Sequence, residues 1–169
     1  MKIAMIGQKG IPAIYGGIER HVEELAVRLV GLGHQVVVYT RPHFTPKSLH
    51  QYRGIQLVSL TSLKTKHFDA ISHTFIATLD AVRSKVDVIH FHGVGPSLLA
   101  FLPKLMGSKA KVVSTFHCID RKHQKWGFFA RLSLWAGEWA SVNFPDQTIV
   151  VSKTLLRYVK TEFGKDAAY

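Results

Sequence analysis

The sequence has little cysteine, few acidic residues and no long hydrophobic run. Its single cysteine, Cys118, excludes an intrachain disulfide; it fits a reducing compartment and is interpreted as a small buried residue rather than a nucleophile. No stretch approaches the roughly 18 apolar residues of a membrane-spanning helix, and the apolar stretch 3–6 is too short for the core of a signal peptide. These absences predict a soluble, cytoplasmic protein, at most attached to the inner face of a membrane.

Acidic residues are outnumbered two to one by basic ones. Eleven Asp and Glu stand against twenty-two Lys and Arg, which gives a formal net charge of +11 with ten histidines besides. Such a surface favours anionic partners, namely phosphates, nucleic acid or acidic lipid. No nucleic-acid recognition motif of the usual kinds is present, which disfavours nucleic acid. With 169 residues, 47% of them hydrophobic, the chain fits one globular domain with a sizeable core.

Apolar, strand-like runs alternate with helix-length segments along the chain. The predicted strands are 2–7, 35–41, 55–60, 86–92, 111–116 and 147–151. The predicted helices are 18–32, 68–83, 96–106, 121–142 and 153–163, the last with Ser152 as its N-cap. Strands joined through helices imply right-handed β-α-β units. We therefore predict an α/β fold, a Rossmann-like doubly wound parallel sheet in three α/β/α layers.

The carboxyl edge of this predicted sheet is where a ligand should bind, as in other doubly wound sheets. The loop after the first strand reads GQKGIPAIYGGIE and matches neither GxGxxG nor GxxxxGK[ST], which disfavours a dinucleotide-binding protein and a P-loop nucleoside triphosphatase. Gly16 and Gly17 stand directly before a helix, where free N–H groups without neighbouring Cβ atoms allow a phosphate to approach. We favour phosphate contact; the alternative is a turn that needs glycine for its backbone alone.

Histidines mark the ends of two further strands. His90 and His92, at i and i+2, should face the same side of one strand. We favour His92 as a polar site contact over a zinc pair, because no acidic residue or cysteine joins them at a ligand spacing. For His90, a core position with its hydrogen bonds satisfied is the alternative. His117 follows the next strand with Asp120 and Arg121 close by, a group suited to polarising a hydroxyl or orienting a phosphate. The alternative is a surface loop with incidental charges.

The segment 120–142 joins a basic start to apolar residues at steps of three or four. These residues are Trp126, Phe129, Leu132, Trp135, Trp139 and Val142. We expect this face of a helix to pack on the sheet. The alternative is a helix at a membrane interface, with its basic residues near anionic lipid. A hydrolase of the α/β type is disfavoured because the sequence has no GxSxG.

Several stretches resemble the retaining GT-B glycosyltransferases of family 4. They are Gly16-Gly17-Ile18-Glu19, Gly33-His34-Gln35-Val36, VDVIHFHG, VVSTFHCID and TIVVSKTLLRYVKTEFG. The long GQKGIPAIYGG loop and the KWG after the strand-end histidine resemble the rhamnosyltransferase-like subgroup of bacterial polysaccharide enzymes. The resemblance extends over essentially the whole chain.

The resemblance implies transfer of a sugar from a nucleotide-diphosphate sugar to a glycan, lipid-linked or other acceptor, with retention. Residues 1–169 would form the N-terminal, acceptor-side half of a GT-B fold. The C-terminal half, which holds the nucleotide sugar, is not in this chain, so the domain alone is expected to be inactive. The other hypothesis is a standalone binding module for a phosphorylated or anionic ligand.

The resemblance also assigns roles to individual residues. Gly16 and Gly17 would contact the donor diphosphate, and His117 would be the catalytic residue that hydrogen-bonds the donor sugar. The residues implied for the acceptor side are His92, Asp120 and Arg121. No metal and no other cofactor is expected, because the family usually needs none. An anionic membrane surface is a further expected partner, and nucleic acid is not.

Overall fold

Strands and helices alternate along the part of the chain that the structure describes. The computed structural model describes residues 1–63, 65, 68–119, 121 and 127–169, with backbone alone for 128–130. The strands are β1 Lys2–Ile6, β2 Gln35–Thr40, β3 Gln51–Tyr52, β4 Ile55–Ser59, β5 Val88–His92, β6 Lys111–Phe116 and β7 Gln147–Val150. The helices are α1 Gly17–Gly31, α2 Asp69–Arg83, α3 Val94–Ser97, α4 Leu102–Leu105, α5 Phe128–Asn143 and α6 Lys153–Phe163.

The strands form one sheet in the order β3-β4-β2-β1-β5-β6-β7. Every pair is parallel except β3 with β4, and β1 is paired on both sides, with Ile3 opposite Val36 of β2 and Val88 of β5. The chain runs outward from β1 through β2 and β4, then returns to β5 on the other side of β1. The predicted doubly wound α/β fold is confirmed. Its switch point lies between β1 and β5, so the loops after these strands flank the crevice where ligands bind.

The central strands are buried on both faces, as their unbroken apolar sequences predict. Residues 3–6 of β1 and 36–39 of β2 are each at most 5% exposed. On α1, Val22 and Ala26 are fully buried against this part of the sheet. The predicted apolar face of α1 is therefore confirmed, and the helix that begins beside the switch point is firmly anchored.

The segment after β5 differs from the single helix predicted for 96–106. It forms two short helices, α3 and α4, joined by turns in which Leu102 N–H bonds the carbonyl of Leu99, three residues back. Pro103 explains the break, because it has no N–H for the Leu99 carbonyl and its ring would clash with that carbonyl in a continuous helix. The short strand β3 was also missed, since two residues leave no detectable alternation.

The face of α5 that was expected to pack on the sheet is largely solvent-exposed. Leu132, Trp135 and Trp139 are 53%, 43% and 41% exposed, whereas only Val142 of the predicted face that the structure describes is buried. The helix instead turns a small and polar side inward, because Gly137 allows the backbone to approach α3 closely: a Cβ there would lie 2.5 Å from the Val94 carbonyl oxygen. The predicted orientation is wrong. Across the described residues, no helix has the length and apolar character needed to cross a bilayer.

Candidate functional site

Three histidines from separate parts of the chain meet beside the switch point. His21 lies in the second turn of α1, His92 is the last residue of β5, and His117 directly follows β6. The ring centroids are 4.9 Å apart for His21 and His117, 5.7 Å for His92 and His117, and 6.0 Å for His21 and His92. The Nδ1 atom of His92 lies 3.4 Å from Nε2 of His117. We call His21, His92 and His117 the histidine cluster.

The strand register places His92 at the centre of this cluster and His90 beneath it. As predicted, His90 and His92 share one side of β5, with ring centroids 4.1 Å apart. His90 is 5% exposed, and its Nε2 lies 2.7 Å from the Thr115 hydroxyl on β6. The interpretation of His90 as a hydrogen-bonded core residue is confirmed. His90 thus supports the ring of His92 from below.

The imidazoles in and below the histidine cluster are uncharged at neutral pH. Burial, reinforced by the neighbouring imidazoles, lowers the pKa of His90 to about 3 and the pKa of His117 to about 4. Burial is also the leading cause that lowers the pKa of His92 well below, and the pKa of His21 below, the ordinary histidine value. These rings therefore offer both a nitrogen lone pair and an N–H to a ligand, but no positive charge.

Gly16 and Gly17 precede His21 of this cluster closely in sequence. They differ in whether the surrounding structure would admit a side chain. Gly16 has φ +99°, and a Cβ there would overlap the carboxylate of Glu19. Gly17, the first residue of α1, has no atom of the described structure within 4 Å of a built Cβ. For Gly16 the backbone explanation suffices. At Gly17, neither the backbone conformation nor the packing of the described residues requires glycine. The space beside the helix N-terminus is open to a ligand.

Two buried glutamates hold the glycine loop in place. Glu19 is 8% exposed and accepts a hydrogen bond of 3.1 Å from the backbone N–H of Lys9. Glu23 is 3% exposed and accepts one of 2.6 Å from the N–H of Ala13. The sequence analysis did not single out this role for either glutamate. The sequence signal for their role is the spacing: Glu19 and Glu23 are four residues apart, on one face of α1 and directly after the loop.

A cavity of about 330 Å³ lies on the outer side of the glycine loop. Its lining combines the cation Lys9 and the carboxylate residue Glu19 with exposed apolar side chains. The lining residues are Lys9, Gly10, Pro12, Ile14, Tyr15, Gly16, Glu19, His43 and Phe44. Tyr15 is 87% exposed and Ile14 73%, although both are large and apolar. Such a surface suits a ligand that has both an anionic and an apolar part.

Arg41, at the carboxyl end of β2, is engaged within the fold. It is 4% exposed and its Nη1 donates to Asp69 at the start of α2 over 2.7 Å. Burial alone would raise the pKa of Asp69, but hydrogen bonding from Ser62 and the charge of Arg41 bring it below its ordinary value. Asp69 therefore stays ionised, and the pair ties α2 to the sheet edge.

Arg121 also lies in an internal network. Its Nε donates to Glu138 over 2.8 Å, and its Nη2 donates to the Tyr158 hydroxyl over 2.7 Å and to Glu162 over 2.9 Å. Glu138 is fully buried on α5, and burial raises its pKa although Tyr158 and Arg121 both oppose this. The network joins α5 to α6, and the acceptor-side role of Arg121 stays a prediction.

The remaining predicted residues lie on the segment after His117. Cys118 is only partly buried, so its interpretation as a buried core residue is wrong. Asp120, predicted to contact the acceptor, lies outside the described residues. Of the predicted site residues, the structure thus brings His92 and His117 together and adds His21, which the sequence did not single out.

The comparisons with known proteins concern the fold and the family of the chain. The chain is similar in structure to sucrose-phosphate synthase from Thermosynechococcus elongatus, with a TM-score of 0.66 and 17% identity over 99% of this chain and 85% of the other. At this identity the similarity concerns the fold. No curated protein sequence matches the chain. The family model described as Glycosyltransferase Family 4 matches residues 15–168, from the glycine loop to the end of the sheet. The chain therefore belongs to glycosyltransferase family 4.

Proposed function

We propose that this chain is the acceptor-side domain of a retaining glycosyltransferase that uses a nucleotide-diphosphate sugar. The observation that carries the proposal is the histidine cluster, which sets uncharged imidazoles at the switch-point edge beside a helix N-terminus that opens at Gly17. A sugar and a diphosphate present hydroxyls and anionic oxygens, which these two features complement.

In this proposal His117 hydrogen-bonds a hydroxyl of the donor sugar and sets its orientation. An uncharged imidazole suits the role, because it positions the sugar without adding charge beside the oxocarbenium-like centre that develops. The N–H groups at the start of α1 receive the diphosphate as it leaves on the face where the acceptor hydroxyl attacks. The acceptor proton passes to a departing phosphate oxygen. Rate acceleration comes from positioning and charge stabilisation.

The acceptor occupies the cavity outside the glycine loop. Lys9 supplies a cation for a phosphate, and Ile14, Tyr15 and Phe44 supply apolar surface. This combination favours a lipid-linked or otherwise anionic glycan acceptor over a neutral free sugar. The net charge of +11 would attract such an acceptor from solution.

The experiment compares this chain alone with a polypeptide in which it is joined to a donor-binding second domain. A panel of UDP-, GDP- and dTDP-linked sugars is offered, and the anomeric configuration of the product is read by NMR. We expect no transfer by residues 1–169 alone, and a product of retained configuration from the two-domain polypeptide. Transfer by the single domain would contradict the two-domain proposal, and an inverted product would contradict retention.

The exposed face of α5 supports a second role, contact with an anionic membrane surface. Leu132, Trp135 and Trp139 lie at helical spacing on one side of α5. The ring of Phe144 contacts both Trp139 and Phe101, with centroid distances of 5.3 Å and 5.4 Å. Arg131, on the same helix, is exposed. Tryptophan and basic residues together are typical of surfaces that lie at the headgroup level of a bilayer.

Vesicle flotation tests this contact. We expect the chain to float with vesicles of phosphatidylcholine and phosphatidylglycerol at low salt, and to be released as salt screens the charges. The double variant Trp135→Ser, Trp139→Ser should lose most of this binding, whereas Leu63→Ser, which removes an exposed leucine elsewhere, should retain it. Equal flotation of both variants would exclude the α5 face as the membrane contact.

A further inference from the structure

The histidine cluster has a geometry that hydrogen bonding to a sugar does not require. Each of His21, His92 and His117 offers one ring nitrogen, and these three atoms all lie within 4.8 Å of one another. The pair of metal ligands considered from the sequence, His90 and His92, lies on one strand and does not include His21 on α1. The third imidazole is that of His21 on α1, the helix that begins beside the switch point.

We propose that His21, His92 and His117 form a three-imidazole binding site for one zinc-class transition-metal ion, with its remaining coordination position open to the crevice. Zinc–nitrogen bonds of about 2.0–2.1 Å in tetrahedral geometry place two ligand nitrogens about 3.4 Å apart. The separation of His92 Nδ1 and His117 Nε2 is 3.4 Å. The His21 nitrogen lies within 4.8 Å of the other two, so its ring must move by at most about 1.4 Å to reach the same spacing.

The surroundings of the cluster fit metal ligands better than a purely structural histidine stack. Uncharged imidazoles suit zinc, copper, nickel and cobalt rather than magnesium or calcium. His92 is 1% exposed and stacked on His90, so its ring is held firmly. Its Nδ1 faces Nε2 of His117, so the fold already brings together the two ring nitrogens that would bind the ion.

The ion and the donor sugar would compete for the same nitrogen. With metal bound, the lone pair of His117 that faces the cluster is engaged and cannot accept from a sugar hydroxyl. Zinc-class ions are therefore inhibitors of the proposed transfer and not its cofactor. This consequence rests on the proposed function; the binding site itself does not.

Isothermal titration of the metal-free chain with Zn²⁺ tests the site directly. We expect one ion per chain, with His21→Ala and His117→Ala each weakening the affinity by more than roughly tenfold, since loss of even an outer-sphere partner costs about tenfold to a hundredfold. His21 is the decisive position because it is only partly buried and its replacement leaves the sheet intact. His50→Ala, which removes an exposed histidine elsewhere, should bind as the parent does.

Equal Zn²⁺ affinity for the parent chain and His21→Ala would overturn the proposal, as would an equal loss in His50→Ala. Co²⁺ provides an independent readout, because a tetrahedral site gives strong visible absorption that His21→Ala should abolish. In the two-domain polypeptide, Zn²⁺ should lower the transfer rate of the parent well below its metal-free rate. The same addition should lower the rate of His21→Ala much less, relative to that variant's own metal-free rate. Failure of zinc binding leaves the proposed transfer untouched, since turnover is measured separately in a chelator.

Discussion

At the scale of single residues, Gly16 and Gly17 are adjacent glycines, and the structure gives a different physical account of each. Gly16 holds a left-handed backbone against the carboxylate of Glu19, so its replacement must distort the loop. Gly17 lies in ordinary helical backbone with open space around its Cα. Sequence reasoning assigned both to phosphate contact. The structure shows a conformational reason for Gly16 and none of this kind among the described residues for Gly17, and the ligand role of both stays a prediction.

Alanine at each position separates these reasons. Gly16→Ala should lower the free energy of unfolding by on the order of 1–3 kcal/mol, because a Cβ is strained at positive φ and meets Glu19. Gly17→Ala should leave it unchanged or raise it by less than about 1 kcal/mol, since alanine favours a helix. Urea denaturation followed by circular dichroism measures both. Equal destabilisation of the two variants would refute the distinction.

His73 makes the stability of the fold depend on pH. It is fully buried and donates from Nε2 to the Thr40 carbonyl over 3.1 Å; burial, with a contribution from Arg41, lowers its pKa from 6.5 to about 4. As the pH falls, His73 therefore becomes protonated in the unfolded chain at a higher pH than in the folded chain. Its contribution to the free energy of unfolding is complete above pH 6.5 and is lost as the pH falls toward 4. The loss attributable to His73 is up to about 3 kcal/mol.

Unfolding free energies measured between pH 7 and pH 4 in a chelator test this linkage. His73→Gln removes the titrating group and can keep a donor to Thr40, so its stability should fall less steeply over that window than that of the parent chain. His50→Gln, an exposed control, should follow the parent. Identical slopes for the parent and His73→Gln would show that His73 does not carry the effect.

The sequence could identify His92 and His117 but not His21. The first two follow apolar runs, and residues that end parallel strands must lie on one edge of a sheet. The place of His21 depends on how α1 crosses that edge, which requires the strand order. The available signal was its position four residues after Gly17, one turn into the helix that starts at the same edge.

At the scale of elements, the predicted strands and the helices α1, α2 and α6 agree with the structure within two residues, whereas α5 begins at Phe128 and not at the predicted residue 121. The orientation of α5 was also not predictable. Its largest apolar residues suggested the buried face, yet close packing against α3 selected the face of Gly137. Small residues bury less apolar area but allow two backbones to approach. A pattern that weighs residues by hydrophobicity alone favours the wrong side. Similarly, Pro103 divided a helix that periodicity alone would have continued.

Two glycine-to-alanine substitutions in helices test the packing of α5. Gly137→Ala should destabilise the domain by about 1–3 kcal/mol, because the new Cβ would overlap the Val94 carbonyl. Gly31→Ala, at the end of α1 with no atom within 4 Å of a built Cβ, should be neutral or stabilising by up to about 1 kcal/mol. Thermal unfolding compares them. A stabilising Gly137→Ala would contradict the close approach of α3 and α5.

At the scale of the whole molecule, the structure shows where some of the basic residues behind the net charge of +11 lie. Arg41 and Arg121 are paired within the fold, so they contribute to structure rather than to attraction of ligands. Lys9 lines the cavity beside the glycine loop, and Arg131 is exposed on the helix that carries the tryptophan face. Part of the excess of basic residues would serve the proposed anionic acceptor and the proposed membrane contact.

Turnover of His117→Ala in the two-domain polypeptide tests whether the histidine cluster at the switch point positions the donor sugar. With His50→Ala as control and circular dichroism to verify folding, we expect kcat to fall by about a hundredfold or more for His117→Ala and to stay at the parental value for His50→Ala. Parental turnover in a folded His117→Ala variant would contradict this role of the cluster.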